Sequence, residues 1–352
     1  MIEEANGAPI WVPLSGGLDS RLVLCKLKQL GYDNLTAFSY GPPGNYEAKA
    51  ARYVAEKVKV PWHFVPIKMK EAKNFFYSQE RKDYWDFSDG LTNIPNMQDI
   101  HVLTKLYHKR AIPPGTVIVN GQSGDFITGG HIPISFINHE PYISSLFERA
   151  IDKHYSLWLN LKTNENLNKI ENKILSILEI GKNGFLDNQK LANNYEWWEW
   201  QERQCKYVIN GQRIYDFLEI RWFLPLWDDE FLKFWSKIPL RWKYGQKLYK
   251  DYLDYSDFYG CFKNFKIEIW RWPGVTIAVL PVARAIKLIF GKKYSDLFYS
   301  YLKYIGHYRQ FYAPYNFYFL LKTAPIIRGP ISLNIETWMR ENFTYSKGER
   351  KP

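Results

Sequence analysis

The chain is poor in cysteine: its 352 residues include three, Cys25, Cys205 and Cys261. They are too few and too scattered for a disulfide framework, and no Cys-x-x-Cys or Cys/His spacing suggests a structural zinc site. A reducing, cytoplasmic setting is the simplest expectation. Long apolar runs are also missing. No stretch approaches the ~20 residues a spanning helix needs, and mean hydropathy is −0.38. Met1-Ile2-Glu3-Glu4 opens the chain without the basic and apolar regions of a secretory signal. A soluble protein is expected. Blocks of five or more like charges are absent as well, so no basic arm or acidic tail is in view.

What is present argues for a packed molecule. Hydrophobic residues make up 46% and aromatics 18%, which excludes disorder and allows a sizeable core. The length suits about two domains of roughly 150 residues. Lys and Arg total 47 against 36 acids, a formal charge of +11. Such a field suits an acidic small substrate, an anionic membrane surface or a nucleic acid. No nucleic-acid-binding module accompanies it, so a nucleic-acid partner is not expected.

The first 140 residues alternate in pattern. Apolar runs Pro9 to Leu14, Leu35 to Tyr40, Trp62 to Ile67 and Gly115 to Val119 read as strands. Between them, Leu18 to Leu30, Glu47 to Lys59 and Asp99 to Arg110 carry helical spacing. Strand–helix alternation predicts βαβ crossovers, a parallel sheet with flanking helices, and a ligand at the carboxyl ends of the strands. Beyond residue 140 the strand signal fades. Ile143 to Ile180, Gln189 to Gln212 and Asp228 to Lys237 read as helices, so residues 1–140 are expected to form an α/β domain and 141–352 a mainly helical, substrate-side region. Val275 to Phe290, followed by Lys292-Lys293, has two readings. One is a helix covering a core with a solvated edge, the usual meaning of this composition. The other is an amphipathic, surface-associated segment over 275–293 lying on an anionic membrane.

Ser15-Gly16-Gly17-Leu18-Asp19-Ser20 sits between the first strand and the first helix. Two glycines allow a tight turn whose amides can line an anion cradle, and the helix N-terminus adds partial positive charge. Ser15 and Ser20 offer hydroxyls to phosphate oxygens, and Asp19 can hold a cation against them. A plain turn with an N-cap is the simpler alternative, but five fixed positions match by chance on the order of once per million windows. No Gly-Lys-Ser/Thr follows, so this is not a Walker A loop.

Ser-Gly-Gly-x-Asp-Ser resembles the pyrophosphate-binding loop of N-type ATP pyrophosphatases. A second segment, Asn120-Gly121-Gln122-Ser123-Gly124-Asp125-Phe126-Ile127-Thr128-Gly129-Gly130, resembles the Ser-Gly-Glu-Gly-x-Asp-Glu-x-x-Gly-Gly loop of the synthetase domain of asparagine synthetases and β-lactam synthetases. Leu224-Pro225-Leu226-Trp227-Asp228 is similar to their Val-Pro-Phe-Leu-Asp segment, and Tyr244-Gly245-Gln246-Lys247-Leu248 to the stretch with their catalytic lysine. The resemblance runs from about residue 8 to residue 256. It implies ATP and magnesium as cofactors, with Asp19 and Asp125 as the magnesium-binding carboxylates. It places adenine at the backbone of Phe38, Ser39 and Tyr40 beside Leu14, and phosphates at Ser15, Gly16, Gly17, Ser20 and Gly121. Lys247 would stabilise charge at the activated carbonyl and α-phosphate. By their residue types alone, Asp125 also reads as a loop Asx-turn, Lys247 as a solvated lysine, and Phe38 to Tyr40 as strand core.

Two departures bear on function. The family's second-loop glutamate is Gln122 here, and the later one is Phe126. Gln122 can hydrogen-bond but cannot serve as a base at neutral pH. The catalytic amino-terminal cysteine of glutamine-using members has no counterpart, since Cys25 falls within a helix. Free ammonia, a separate glutaminase subunit or another amine is then the expected nitrogen donor. The resemblance implies an ATP-dependent carboxylate-amidating ligase, releasing pyrophosphate, for a small-molecule carboxylate. An amidated uronic acid ranks above asparagine as product, because relatives occur among surface-polysaccharide genes and the second half is rich in aromatics. A nucleotide-binding subunit without turnover and a tRNA-modifying pyrophosphatase are the alternatives.

Overall fold

The computed structural model describes residues 1–138, 142–178, 186–265, 273–292, 294–295, 298–299, 314–323 and 326–343. Five parallel strands form one sheet: β1 (Ile10–Pro13), β2 (Leu35–Gly41), β3 (Trp62–Pro66), β4 (Val117–Val119) and β5 (Arg221–Phe223), in the order β3-β2-β1-β4-β5. The crossovers run through helices α1 (Leu18–Gln29), α2 (Tyr46–Val58) and α3 (Ile100–His108). Central parallel strands are buried on both faces, which is why they read as unbroken apolar runs. Successive side chains therefore enter different cores. Ile10, Val12, Val117 and Val119 join Leu24, Val54 and Ala55 on one face. Trp11, Phe38 and Ile118 join Trp85, Leu103 and Tyr215 on the other. The fold is the expected α/β arrangement with a largely helical remainder.

The sheet draws on both sides of residue 140. β5 has three residues and its first, Arg221, is exposed. Such a short edge strand carries no readable period, and it was not expected. Two of the helix readings are divided or reshaped, while Asp228 to Lys237 forms as read. Ile143 to Ile180 is two helices, α4 (Ile143–His154) and α5 (Asn164–Leu178). Between them the Ser156 hydroxyl donates to the Ile151 carbonyl at 2.7 Å, and Leu159 donates its N–H to the Ile326 carbonyl at 2.7 Å. Those bonds take the backbone out of helical geometry. Gln189 to Gln212 begins as α6 (Asn188–Glu199) and widens into a π-helical stretch at Trp200–Ile209. α4, α5 and α6 pack around a third core with Leu146, Phe147, Tyr195 and Trp198. Asp228 caps α7 (Asp229–Ser236), accepting from the Glu230 and Phe231 amides.

The expectation of a core-covering helix at Val275 to Phe290 is not met over residues 279–290, the part whose side chains are described. A helix, α8 (Pro273–Phe290), does form, but Leu288 is 88% exposed, Ile289 69% and Phe290 61%. Among its described side chains only Ala283 is buried. Among the described residues, no helix is long and apolar enough to cross a membrane.

Candidate functional site: a cleft where two glycine loops meet

The chain leaves β1 toward β2 on one side and later returns to place β4 on the other. That reversal opens a crevice beyond the carboxyl ends of β1 and β4, where open α/β sheets bind ligands. The loops after these two strands are the two glycine-bearing motifs. A cleft of about 320 Å³ lies there, walled by Ser15, Gly17, Asp19 and Ser20 from the first loop and by Gly121, Gln122, Ser123 and Asp125 from the second. Its far end is closed by Leu14, Phe38, Ser39 and Tyr40 with Gln98 and Asp99.

The first loop is held by its own hydroxyls. Ser15 donates its N–H to Ser20 Oγ at 3.1 Å, and Gly17 donates its N–H to Ser15 Oγ at 3.1 Å. Gly17 caps α1 without a side-chain cap bond, so amides of the first turn remain available to an anion. Gly16 is buried and does not reach the cleft wall. Arg21, buried one turn into α1, anchors the loop from behind. Its Nε donates to the Gly17 carbonyl at 3.0 Å and its Nη1 to the Cys261 carbonyl at 2.6 Å, while its guanidinium lies 3.8 Å from the Phe265 ring centre.

The second loop approaches the first at contact distance, and its glycines make that possible. A Cβ on Gly121 would lie 2.8 Å from the Asp19 carbonyl carbon, and one on Gly124 would lie 2.6 Å from Asp19 Cγ. Asp125 donates its backbone N–H to Asp19 Oδ2 at 2.9 Å, and Tyr249 donates its hydroxyl to Asp19 Oδ1 at 2.9 Å. Burial, with the charge of Asp125 adding to it, pushes the Asp19 carboxyl up to about 7. Burial pushes Asp125 upward too, but hydrogen bonding and charge from His131 outweigh it and leave its carboxyl below the usual range. His131 Nε2 lies 3.2 Å from Asp125 Oδ2, and its Nδ1 lies 2.6 Å from Oε1 of the fully buried Glu199. Lys153 Nζ donates to the same Glu199 oxygen at 2.9 Å.

The other end of the cleft is built differently. Tyr40 donates its hydroxyl to Asp99, and Gln98 Nε2 donates to the Tyr40 hydroxyl at 3.2 Å. Burial raises the carboxyl of Asp99. The Ser39 hydroxyl donates to the Leu14 carbonyl at 2.6 Å and accepts from Trp62 Nε1 at 2.9 Å. Ser39 thus ties strands together at the wall of the cleft it lines.

Asp19 and Asp125 fit a hard cation on their chemistry. Both are oxygen donors, and the raised Asp19 carboxyl beside a second carboxylate marks a place where positive charge is short. Among the described residues no group of three or more His, Cys, Asp or Glu forms a metal site. A magnesium ion would therefore complete its shell with phosphate oxygens and water, its usual habit.

Lys247 is not brought to the cleft wall. It opens α9 (Lys247–Ser256), with Nζ 2.9 Å from Asp251 Oδ2 and 4.3 Å from the Trp242 ring centre. Its neighbour Tyr249 instead reaches Asp19. Sequence reading missed Tyr249, Arg21, Gln98, Asp99, His131 and Glu199. None lies in a glycine motif, and Tyr249, Gln98, Asp99 and Glu199 meet their partners across long separations in sequence. Arg21 and His131, each one residue beyond a motif, stood close enough to draw notice.

With two loops of this order and spacing on one cleft, the family match completes the evidence. An asparagine synthase family model matches residues 6–254. The chain belongs to the asparagine synthase family. Family membership brings ATP-dependent, amide-forming ligase chemistry, and it accounts for the order in which the four motifs occur. The family match ends inside α9, so α8 lies outside it. No curated protein matches the chain.

Proposed function

We propose that this family member adenylates a small-molecule carboxylate with ATP and then passes the acyl group to ammonia or another amine. A carboxylate oxygen attacks the α-phosphorus, the bond from that phosphorus to the bridging oxygen breaks, and pyrophosphate leaves. The amine lone pair then adds to the acyl carbon, AMP departs, and the amine loses its proton. The observation that carries the reading is the meeting of Asp19 and Asp125 on the wall of a cleft that Phe38, Ser39 and Tyr40 of β2 also line. First-turn amides of α1 and the Ser15 and Ser20 hydroxyls hold the phosphates in line, while Arg21 keeps the turn in place. Magnesium, when bound at Asp19 and Asp125, supplies charge neutralisation for the leaving pyrophosphate. Lys247 reaches the α-phosphate by leaving Asp251. Ammonia arrives free or from a separate glutaminase subunit.

A uronic acid suits the acceptor role better than aspartate. Trp197 stacks on Trp200 at 5.2 Å and Trp200 on Trp227 at 6.3 Å, and the first two line a cavity of about 380 Å³ with Phe126. Flat indole faces of this kind suit the apolar faces of a pyranose ring. Pyrophosphate release tests the proposal, using the purified chain with Mg-ATP, ammonia and a panel of carboxylic acids that includes uronic acids and aspartate. Release with a sugar acid supports the reading. Mg-ATP binding without release from any acid would support the second reading, a nucleotide-binding subunit without turnover, which Gln122 and Phe126 favour by replacing two carboxylates. Gln122→Glu probes the same point, with aspartate-dependent AMP formation expected to rise.

A further inference from the structure

We infer that α8 and the residues just after it form a docking surface for an anionic lipid bilayer. This stretch lies beyond the family match, and none of its described residues lines the cleft. Between Glu268 and Asp296 the sequence has no acid and five bases: Arg271, Arg284, Lys287, Lys292 and Lys293. In the helix, Pro281, Ala285 and Leu288 follow one another at the four- and three-residue spacing that defines a single face, and all are exposed. Ile289, 69% exposed, continues it, and exposed Arg284 and Lys287 flank it. The opposite side is the one that faces protein. Ala283 is 1% exposed, and its carbonyl accepts from the Ser295 hydroxyl at 3.3 Å.

A solvated helix normally turns charge outward and apolar side chains inward. Here the outward face mixes large apolar groups with cations only. That pairing fits an interface whose interior is hydrocarbon and whose surface is negative: apolar side chains enter the acyl boundary, and long basic stems reach back to headgroup phosphates. A protein partner would be expected to meet a mixture of charges, whereas an acid-free run of 27 residues, 269–295, selects a surface of one sign. Insertion is shallow, because no described helix is long and apolar enough to span.

Vesicle co-sedimentation of the full chain tests this. Vesicles of phosphatidylcholine alone are compared with vesicles in which half the lipid is phosphatidylglycerol, at low and high salt. Binding is expected only with phosphatidylglycerol and only at low salt. Neutralising two bases with Arg284→Gln and Lys287→Gln should weaken it roughly thirtyfold, and Leu288→Asp with Ile289→Asp should abolish it. Both pairs of changes are on exposed positions, so the melting temperature and the nucleotide affinity should stay at the parent values. Equal binding to both vesicle types, or full binding by the Asp variant, would overturn the inference. So would absence of vesicle binding together with self-association that Leu288→Asp removes, which would assign the face to a second copy of the chain.

Discussion

Asp19 is stressed by its neighbours. Its carboxyl sits at about 7 because burial and the Asp125 charge oppose ionisation. The folded state then holds this proton more tightly than the unfolded chain does. Stability contributed here is intact below about pH 4, falls as pH rises toward about 7, and is fully lost above that. Asp19→Asn keeps the shape without the charge: its amide oxygen can still accept from the Asp125 N–H, and its amino group can donate to the Tyr249 hydroxyl. At about pH 8 the variant is expected to be more stable than the parent by about 2–4 kcal/mol, with the two nearly equal at about pH 4. Pyrophosphate release should be lost, and Mg-ATP should no longer raise the melting temperature. Melting curves at the two pH values check this. A variant less stable than the parent at both would show that Asp19 supports the fold rather than straining it. The strain was not legible in the sequence, which offered Asp19 and Asp125 as a pair of cation-holding carboxylates but not the burial and close contact that raise one of them.

At the scale of elements, the two loops depend on each other. Gly124 offers the clearest test, because a methyl there would fall 2.6 Å from both Asp19 Cγ and Leu226 Cδ1. Neither neighbour is the end of a long flexible chain, so the second loop must retreat. Gly124→Ala should cost about 1–3 kcal/mol of stability and weaken Mg-ATP binding at least about tenfold, since a shift of one ångström is enough to spoil such a site. Calorimetric titration with a non-hydrolysable ATP analogue reads the affinity. Unchanged affinity would mean the approach of the two loops is incidental to nucleotide binding. The sequence disclosed these glycines but suggested a different use for some of them. Gly17 borders the phosphate end, as a cradle requires, whereas Gly121 and Gly124 make room for the backbone and side chain of Asp19. β1, β2 and β4 were readable because their burial on both faces leaves apolar runs, and the half-buried edge strand β3 because Trp62, Phe64 and Val65 fall together. β5, with Arg221 in solvent, leaves no such trace. Nor does periodicity separate an α-helix from the π-helical stretch at Trp200–Ile209, whose Gln204 Oε1 accepts from the Ser123 hydroxyl at 3.2 Å. Ser123 itself stands at φ +69 where the family pattern has glycine, a strained position tied down by that bond.

The whole molecule is closed by a contact that spans most of the chain. Arg81 is fully buried, and its guanidinium meets Glu341 through two parallel bonds of 2.6 and 2.8 Å. Its Nε donates to the Phe76 carbonyl at 2.6 Å, and it lies 4.2 Å from the Trp85 ring centre. Glu341 belongs to the helix at Pro330–Asn342, so this one pair fixes the end of the described chain against the sheet's second core. Removing one partner of a buried pair leaves a desolvated charge, and that loss exceeds the pair's own worth. Glu341→Ala is expected to cost about 2–4 kcal/mol, somewhat under the usual range of about 3–5 kcal/mol because Glu341 itself is 31% exposed. Glu336→Ala, on the same helix, breaks only the exposed pair with Arg340 and should cost at most about 0.5 kcal/mol. Replacing both buried partners with Arg81→Met and Glu341→Leu should recover most of the loss. Urea unfolding of the three variants and the parent measures each value. Equal midpoints for Glu341→Ala and Glu336→Ala would mean that Arg81 finds water or another acceptor, and that the last helix is held by its apolar contacts and by bonds such as that from the Ser332 hydroxyl to the Leu157 carbonyl.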